Sequence, residues 1–420
     1  MENKLKMMMN RDKLLNKIIE KRNNGFVKLL YGVRRAGKTV LMSELLTEKI
    51  KQIDVDAQII YFSFEDVNNV DLMDSHSFIS FLNDQKTVSE RTVVLLLDEV
   101  FLLDDPFALI DFFLKEKRFD VFLSTSFEPD CRTLKESRIY NRLDKIYISP
   151  LAPQEIHPDD NAFDLGAYAE YGGLPMAVTK SDDSERRNYL DKLIDAVYLP
   201  DIIRRNPSCK KWTAMRLLKL LSENVGEFLN STILSSLYED KFEQRIDPKT
   251  VETYLGYLSK GYLIRKVSKI DLKNSKEVGG KFKFYFSDLG IKNAVSRFES
   301  HFDSSLYENL LEIALENSGF DVNVGYGYTF YTNEFGRRSR LPIYVDFVAM
   351  REGVLYYLQS CFSWFDKKDN QTKKNALTKT PNSFKKILVY NERIASSYDS
   401  DGVLSISVTD FIENLDKILS

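Results

Sequence analysis

An apolar run, Phe26–Tyr31, leads into Gly32-Val33-Arg34-Arg35-Ala36-Gly37-Lys38-Thr39, and an amphipathic stretch, Val40–Lys51, follows it. The octet has the spacing GxxxxGK[ST], and few sequence features restrict a fold so tightly when strand precedes and helix follows. Its glycines let backbone N–H groups turn inward around a phosphate, where the helix N-terminus adds partial positive charge. Lys38 is then placed to reach β- and γ-phosphate oxygens and the Thr39 hydroxyl to ligate Mg²⁺. Gly32, Val33, Arg34, Arg35, Ala36 and Gly37 complete the expected nucleotide-binding loop.

A partner for this loop lies further on. Val93-Val94-Leu95-Leu96-Leu97 reads as a buried strand that ends in Asp98-Glu99. Asp98 at the strand tip can hold Mg²⁺ through water, and Glu99 beside it can polarise an attacking water. Alone, two acids after a strand are only the start of a loop; with the phosphate loop upstream they read as a hydrolytic pair. Ser124-Thr125-Ser126 ends another apolar run, and a hydroxyl there, assigned to Ser126, is a candidate γ-phosphate sensor. Serines and threonines also simply end strands. Arg142 is a candidate for stabilising developing charge, including from a neighbouring copy, against the plainer reading of a solvated arginine. The expected cofactors are ATP and Mg²⁺, and the expected enzyme activity is Mg²⁺-dependent ATP hydrolysis.

Composition excludes some other classes. The 420 residues are 43% hydrophobic and 29% charged, ordinary for a globular chain and unlike a disordered one. A net charge of −3 gives no global pull toward nucleic acid or membrane. Residues 201–290 are locally basic, with 17 Lys/Arg against 11 Asp/Glu. Cys131, Cys209 and Cys361 are scattered, as are His76, His157 and His301, so neither a disulfide framework nor a zinc site is expected. With no signal-peptide pattern and no run near the ~20 apolar residues of a membrane span, a cytoplasmic location is expected.

The coarse pattern divides the chain in three. Over residues 11–155, apolar runs at Phe26–Tyr31, Gln58–Phe64, Val93–Leu97, Val121–Ser124 and Lys145–Ser149 alternate with amphipathic stretches such as Pro106–Glu116, as in an α/β domain. Beyond Pro150-Leu151-Ala152-Pro153 the pattern turns helical, with a break at Gly172-Gly173-Leu174-Pro175. Asp247 is set to cap a helix that has Pro248 at its first position, runs Thr250–Lys260 and ends at Gly261. Strand-like Tyr262–Val267 and Lys281–Phe286 follow, the outline of a winged helix. A helix at Leu306–Asn317 and strands near Phe320–Val324, Ile343–Met350 and Val354–Gln359 then suggest a second α/β unit. The expected domains are residues 1–155, 156–292 and 293–420.

Beyond the loop and the acidic pair, further motifs run through the chain: Asn141-Arg142, Pro150-Leu151, Glu155, Tyr171-Gly172-Gly173-Leu174-Pro175, Ser287-Asp288-Leu289-Gly290, Tyr307-Glu308-Asn309, Val345-Asp346-Phe347 and Leu358-Gln359. Together with Gly32–Thr39 and Leu97-Asp98-Glu99, this set resembles the prokaryotic family of AAA-like P-loop ATPases that carry a C-terminal domain of unknown function. The sequence departs from that family at Asn141, where glycine is usual, and at Tyr344-Val345-Asp346-Phe347, where Glu-Ile-Asp-Phe is frequent. The resemblance implies an additional-strand P-loop NTPase core, a winged-helix middle domain and a C-terminal fold similar to PD-(D/E)xK nucleases.

Three functions remain open on the sequence. The first is an ATPase that remodels a macromolecule, with DNA held through residues 245–285 as the favoured partner. Lys249, Lys260, Arg265, Lys266, Lys269, Lys273 and Lys276 flank the expected recognition helix and wing. The second is an ATP-gated, metal-dependent nuclease. The third is a protein-interaction or signalling ATPase without DNA. A homo-oligomer fits all three, and a membrane none. Gln359-Ser360-Cys361 stands where a nuclease of this type needs Glu-x-Lys, so Glu308 and Asp346 are expected to support a fold that does not cut.

Overall fold

The computed structural model describes residues 11–84, 92–156, 164–299, 302–332, 336–381 and 384–419. They form two units: the chain up to residue 151 with 174–176 and 260–262, and the remainder.

In the N-terminal unit, five parallel strands lie in the order β2-β3-β4-β1-β5. They are β1 (Lys28–Tyr31), β2 (Ile59–Ser63), β3 (Val93–Asp98), β4 (Phe119–Thr125) and β5 (Asp144–Tyr147). Central β3 and β4 are buried at every residue, which explains the apolar runs Val93–Leu97 and Val121–Leu123 within them. Val93, Leu95 and Leu97 join one core with Phe78, Leu109, Ile110 and Phe113. Val94 and Leu96 join the opposite core with Ile18, Leu41, Met42 and Ile50. The sheet is therefore sandwiched between two helical layers. β4 lies between the two motif strands β1 and β3, so the loops after all three meet at one sheet edge.

The second unit begins with helices. Lys211–Glu223, Ser231–Phe242 and Pro248–Lys260 precede a hairpin of β6 (Ile264–Asp271) and β7 (Glu277–Phe286), and Leu229 bridges Phe282. This is the order of elements expected of a winged helix. The hairpin, however, also belongs to an eight-stranded sheet, because β6 pairs in parallel with β8 (Asp321–Thr332). The sheet continues through β9 (Arg338–Arg351), β10 (Val354–Cys361), β11 (Lys385–Tyr390), β13 (Val403–Ser407) and β12 (Ser397–Tyr398). β8 and β9 run well beyond the strand-like stretches read from sequence.

Several of the scattered motifs hold this unit together. The Asp288 carboxylate accepts the Gly173 N–H at 2.7 Å and caps the helix Leu289–Val295 through Ile291 N–H at 3.0 Å. At Gly290 a Cβ would sit 2.2 Å from the Tyr171 carbonyl oxygen, so only glycine admits that approach. Asn309 spans Phe286, giving its amide to the carbonyl and accepting the N–H, both at 2.9 Å.

Candidate nucleotide-binding site

The loop between β1 and the helix beginning at Lys38 has the backbone its glycines allow. Gly32 has φ 154°, and a Cβ there would lie 2.2 Å from the Ile148 carbonyl oxygen. Gly37 has φ 96°, and Arg35 is left-handed at φ 70°. Val33 and Ala36 are buried anchors, whereas Arg35 is exposed. Arg34 pairs with Glu65 beyond β2, a contact that residue spacing did not reveal.

Lys38 is only 5% exposed. Its ammonium donates to the loop carbonyls of Gly32 at 2.8 Å and Val33 at 3.0 Å. The cation is thus parked inside the cradle that the phosphates would share.

Thr39 and Asp98 meet across the sheet edge, with the threonine hydroxyl donating to Asp98 Oδ2 at 2.8 Å. A hydroxyl and a carboxylate side by side at the mouth of the phosphate loop are hard oxygen donors, which Mg²⁺ takes directly or through water. The residues present therefore fit the ion. Ser124 Oγ donates to the other Asp98 oxygen, and the Tyr61 hydroxyl approaches Oδ2 at 3.4 Å. Burial, then the Asp98 charge, pushes the Tyr61 hydroxyl up in pKa, so it stays a donor.

Glu99 has a left-handed backbone, φ 55° and ψ 45°, an uncommon state for a residue with a Cβ. Its N–H donates to Ser124 Oγ at 3.0 Å, and its carboxylate accepts the Ser126 N–H at 3.1 Å. β4 thereby holds both members of the acidic pair.

The three hydroxyls at the end of β4 separate by their bonds. Ser124 serves Asp98 and Glu99, and Thr125 donates to the Phe127 carbonyl at 2.7 Å. Ser126 Oγ is buried with no hydrogen-bond partner. Buried hydroxyls are nearly always satisfied, so Ser126 Oγ has its hydrogen-bonding capacity open to a water or a ligand.

Arg142 is exposed and follows the helix Leu134–Asn141. It precedes β5, whose Asp144 pairs with Lys28 at the start of β1, so it lies at the opposite end of the strands from the phosphate loop. The structure brings together Lys38, Thr39, Asp98, Glu99 and Ser126, and not Arg142.

A second polar cluster lies in the other unit. Glu308 accepts from Lys283 Nζ at 2.7 Å and from the Tyr285 hydroxyl. Asp346 sits at a register irregularity of β9, accepts from Ser360 Oγ at 2.7 Å and lies 3.6 Å from Lys373 Nζ. Burial opposes both charges. It raises the Glu308 pKa despite Lys283, whereas Lys373 and Lys283 outweigh it at Asp346 and hold that carboxyl below its usual range. Gln359 is engaged with the backbone, accepting the Asp346 N–H at 3.1 Å and donating to the Tyr344 carbonyl at 2.9 Å. Among the described residues no group of three acidic, histidine or cysteine side chains could hold a metal.

Of the basic residues assigned to the middle segment, Arg265 is placed differently from that reading. It forms ion pairs with Glu312 and Glu316 and is not a surface contact. Lys260 pairs with Asp130 and Lys266 lies 3.6 Å from Glu252. Lys249, Lys273 and Lys276 remain exposed.

A parallel sheet with a phosphate loop after one strand, and an acidic tip on another, defines a P-loop NTPase core. Residues 24–157 match the AAA domain family, so the N-terminal unit is an AAA-like P-loop ATPase domain. Residues 162–301 match a domain of unknown function (DUF8612). An uncharacterized protein of Haemophilus influenzae is 22% identical over 97% of this chain and 99% of its own length. Another, from Methanocaldococcus jannaschii, is 23% identical over 74% of this chain and 71% of its own. AMPPCP-bound DnaA from Aquifex aeolicus superposes over 59% of this chain and 86% of its own, with 16% identity and a TM-score of 0.28. That likeness is too distant to carry an argument. No described helix is long and apolar enough to cross a membrane.

Proposed function

We propose that the chain binds ATP with Mg²⁺ at Gly32–Thr39, hydrolyses it, and uses the cycle to act on a macromolecule, with DNA favoured. One observation carries the catalytic part: Thr39 and Asp98 are paired at 2.8 Å while Glu99 is held beside them by Ser126 N–H. When bound, Mg²⁺ neutralises phosphate charge. Lys38 moves from the loop carbonyls to phosphate oxygens, Glu99 accepts the proton of the attacking water, and Ser126 Oγ reads the γ-phosphate. Arg142, remote from its own loop, fits supply to a neighbouring copy. The governing test is ATP turnover by the purified chain with and without single-stranded, duplex and branched DNA; stimulation by one form identifies the client.

Ser126→Ala removes a hydroxyl that costs stability while unsatisfied. The variant melts at or above the wild-type temperature, retains ATP affinity and loses roughly ten-fold in kcat. Unchanged kcat removes Ser126 from the sensor role.

DNA is supported by the helices and hairpin of residues 211–286, which follow the order of a winged helix, and by its exposed lysines. Reversing Lys249, Lys273 and Lys276 to Glu weakens duplex binding for all sequences alike and lowers the salt slope by about one per lost phosphate contact. Arg265 is left in place because reversing it would break a buried ion pair. Unaltered binding, or none at low salt, contradicts the DNA reading.

The C-terminal region has the element order of a PD-(D/E)xK fold: the helix Ser304–Asn317, β8, β9, β10, the helix Lys367–Thr378 and β11. Its two carboxylates are occupied, Glu308 by Lys283 and Asp346 by Lys373 and Ser360, and Gln359 is engaged with the backbone. Incubation with Mg²⁺ or Mn²⁺ therefore leaves single-stranded, duplex and branched DNA intact. Cleavage lost in Asp346→Ala would establish the nuclease instead.

A further inference from the structure

β6 pairs with β8 only as far as Asp271 opposite Tyr326, and β10 pairs with β9 only from Phe347 onward. The described residues between, 327–332 and 338–345, have no third strand on either side and form a two-stranded ribbon. Side chains alternate across such a ribbon. Tyr326, Tyr328 and Phe330 share one face with their cross-strand partners Tyr344, Pro342 and Arg340. Tyr326 and Tyr344 have ring centroids 5.3 Å apart, and Tyr326 and Tyr328 5.0 Å.

Cations border these rings. Arg338 lies 4.1 Å over Phe330, Arg340 5.7 Å over Tyr328, and Lys269 of β6 5.2 Å over Tyr326. Arg338 and Arg340 form no ion pair among the described residues, so their charge faces outward. Tyr328 is 43% exposed and Phe330 46%. An uncovered ribbon with a row of aromatic rings is a liability in a free chain and marks an interaction surface.

We propose that this face is a binding platform for single-stranded nucleic acid, whose bases stack on Tyr328 and Phe330 while Arg338 and Arg340 meet its phosphates. Rings alternating with unpaired cations are what an unpaired strand needs, since every base has a π-face and every step a negative charge. A ribbon can also enter a duplex major groove, where base edges are read through hydrogen bonds. Here the exposed rings of Tyr328 and Phe330 suit unstacked bases, which a duplex does not offer. The free arginines favour a polyanion over an apolar protein surface. The inference is independent of the winged helix.

The test is anisotropy of labelled oligothymidine with the full chain at low salt. The wild type binds it, and more tightly than a duplex of equal length. Tyr328→Leu and Phe330→Leu, which keep apolar bulk without a ring, each weaken binding about ten-fold. Arg338→Glu with Arg340→Glu weakens binding and flattens its salt dependence, whereas reversing Lys249, Lys273 and Lys276 leaves it intact. Melting temperature and basal ATP turnover, read in parallel, stay at wild-type values. Four results overturn the platform: no oligothymidine affinity, tighter duplex binding, wild-type affinity in both leucine variants, or leucine variants that change self-association and not oligothymidine binding.

Discussion

Lys38→Ala loses ATP binding by at least about a hundred-fold, the sum of two charge-assisted contacts at about 1.5–3 kcal/mol each, less what water recovers. The ammonium is the buried cation of the loop and already donates to Gly32 and Val33 carbonyls. Phosphate oxygens would meet those carbonyls with no cation between them in the variant. Isothermal titration with a non-hydrolysable ATP analogue measures the loss, and a thermal melt confirms folding. Near-wild-type affinity would mean that the nucleotide lies elsewhere.

Glu99→Gln gives the opposite pattern, with binding kept and turnover reduced by about 10²–10⁴, the usual worth of a positioned general base. Glutamine preserves the shape and can still accept the Ser126 N–H through its Oε1, so the left-handed turn at residue 99 persists. What it lacks is basicity toward water. Bound ATP then accumulates in the variant, which a filter-binding assay with labelled ATP detects.

The two motifs were legible because each is contiguous. Gly32–Thr39 carries its strand and helix on either side, and Asp98-Glu99 ends a run buried at every residue. β4 lies between them in the sheet, which makes Ser124–Ser126 part of the site. Which hydroxyl is unspent did not follow, because all three are alike in sequence and differ only in their bonds. Arg34 with Glu65, and Tyr61 with Asp98, join residues whose spacing carries no signal.

The second unit was less legible for the same reason. Cys361 stands where a nuclease would have lysine, yet the cations of that cluster come from Lys283 on β7 and Lys373 on a helix. Likewise, Arg265 looks like one more surface charge until Glu312 and Glu316 are brought beside it. The ribbon was missed because Gly325 and Gly327 interrupt β8 with residues that disfavour strands; in the fold they make room for Leu272.

We propose a Mg²⁺-dependent ATPase built on Thr39, Asp98 and Glu99. Steady-state phosphate release by the wild-type chain, with Mg²⁺ and then with excess EDTA, tests it most directly. The expected result is turnover with Mg²⁺ that falls to background in EDTA and also in Glu99→Gln with Mg²⁺ present. Turnover that persists in EDTA, or an equal rate in Glu99→Gln and wild type, would contradict it.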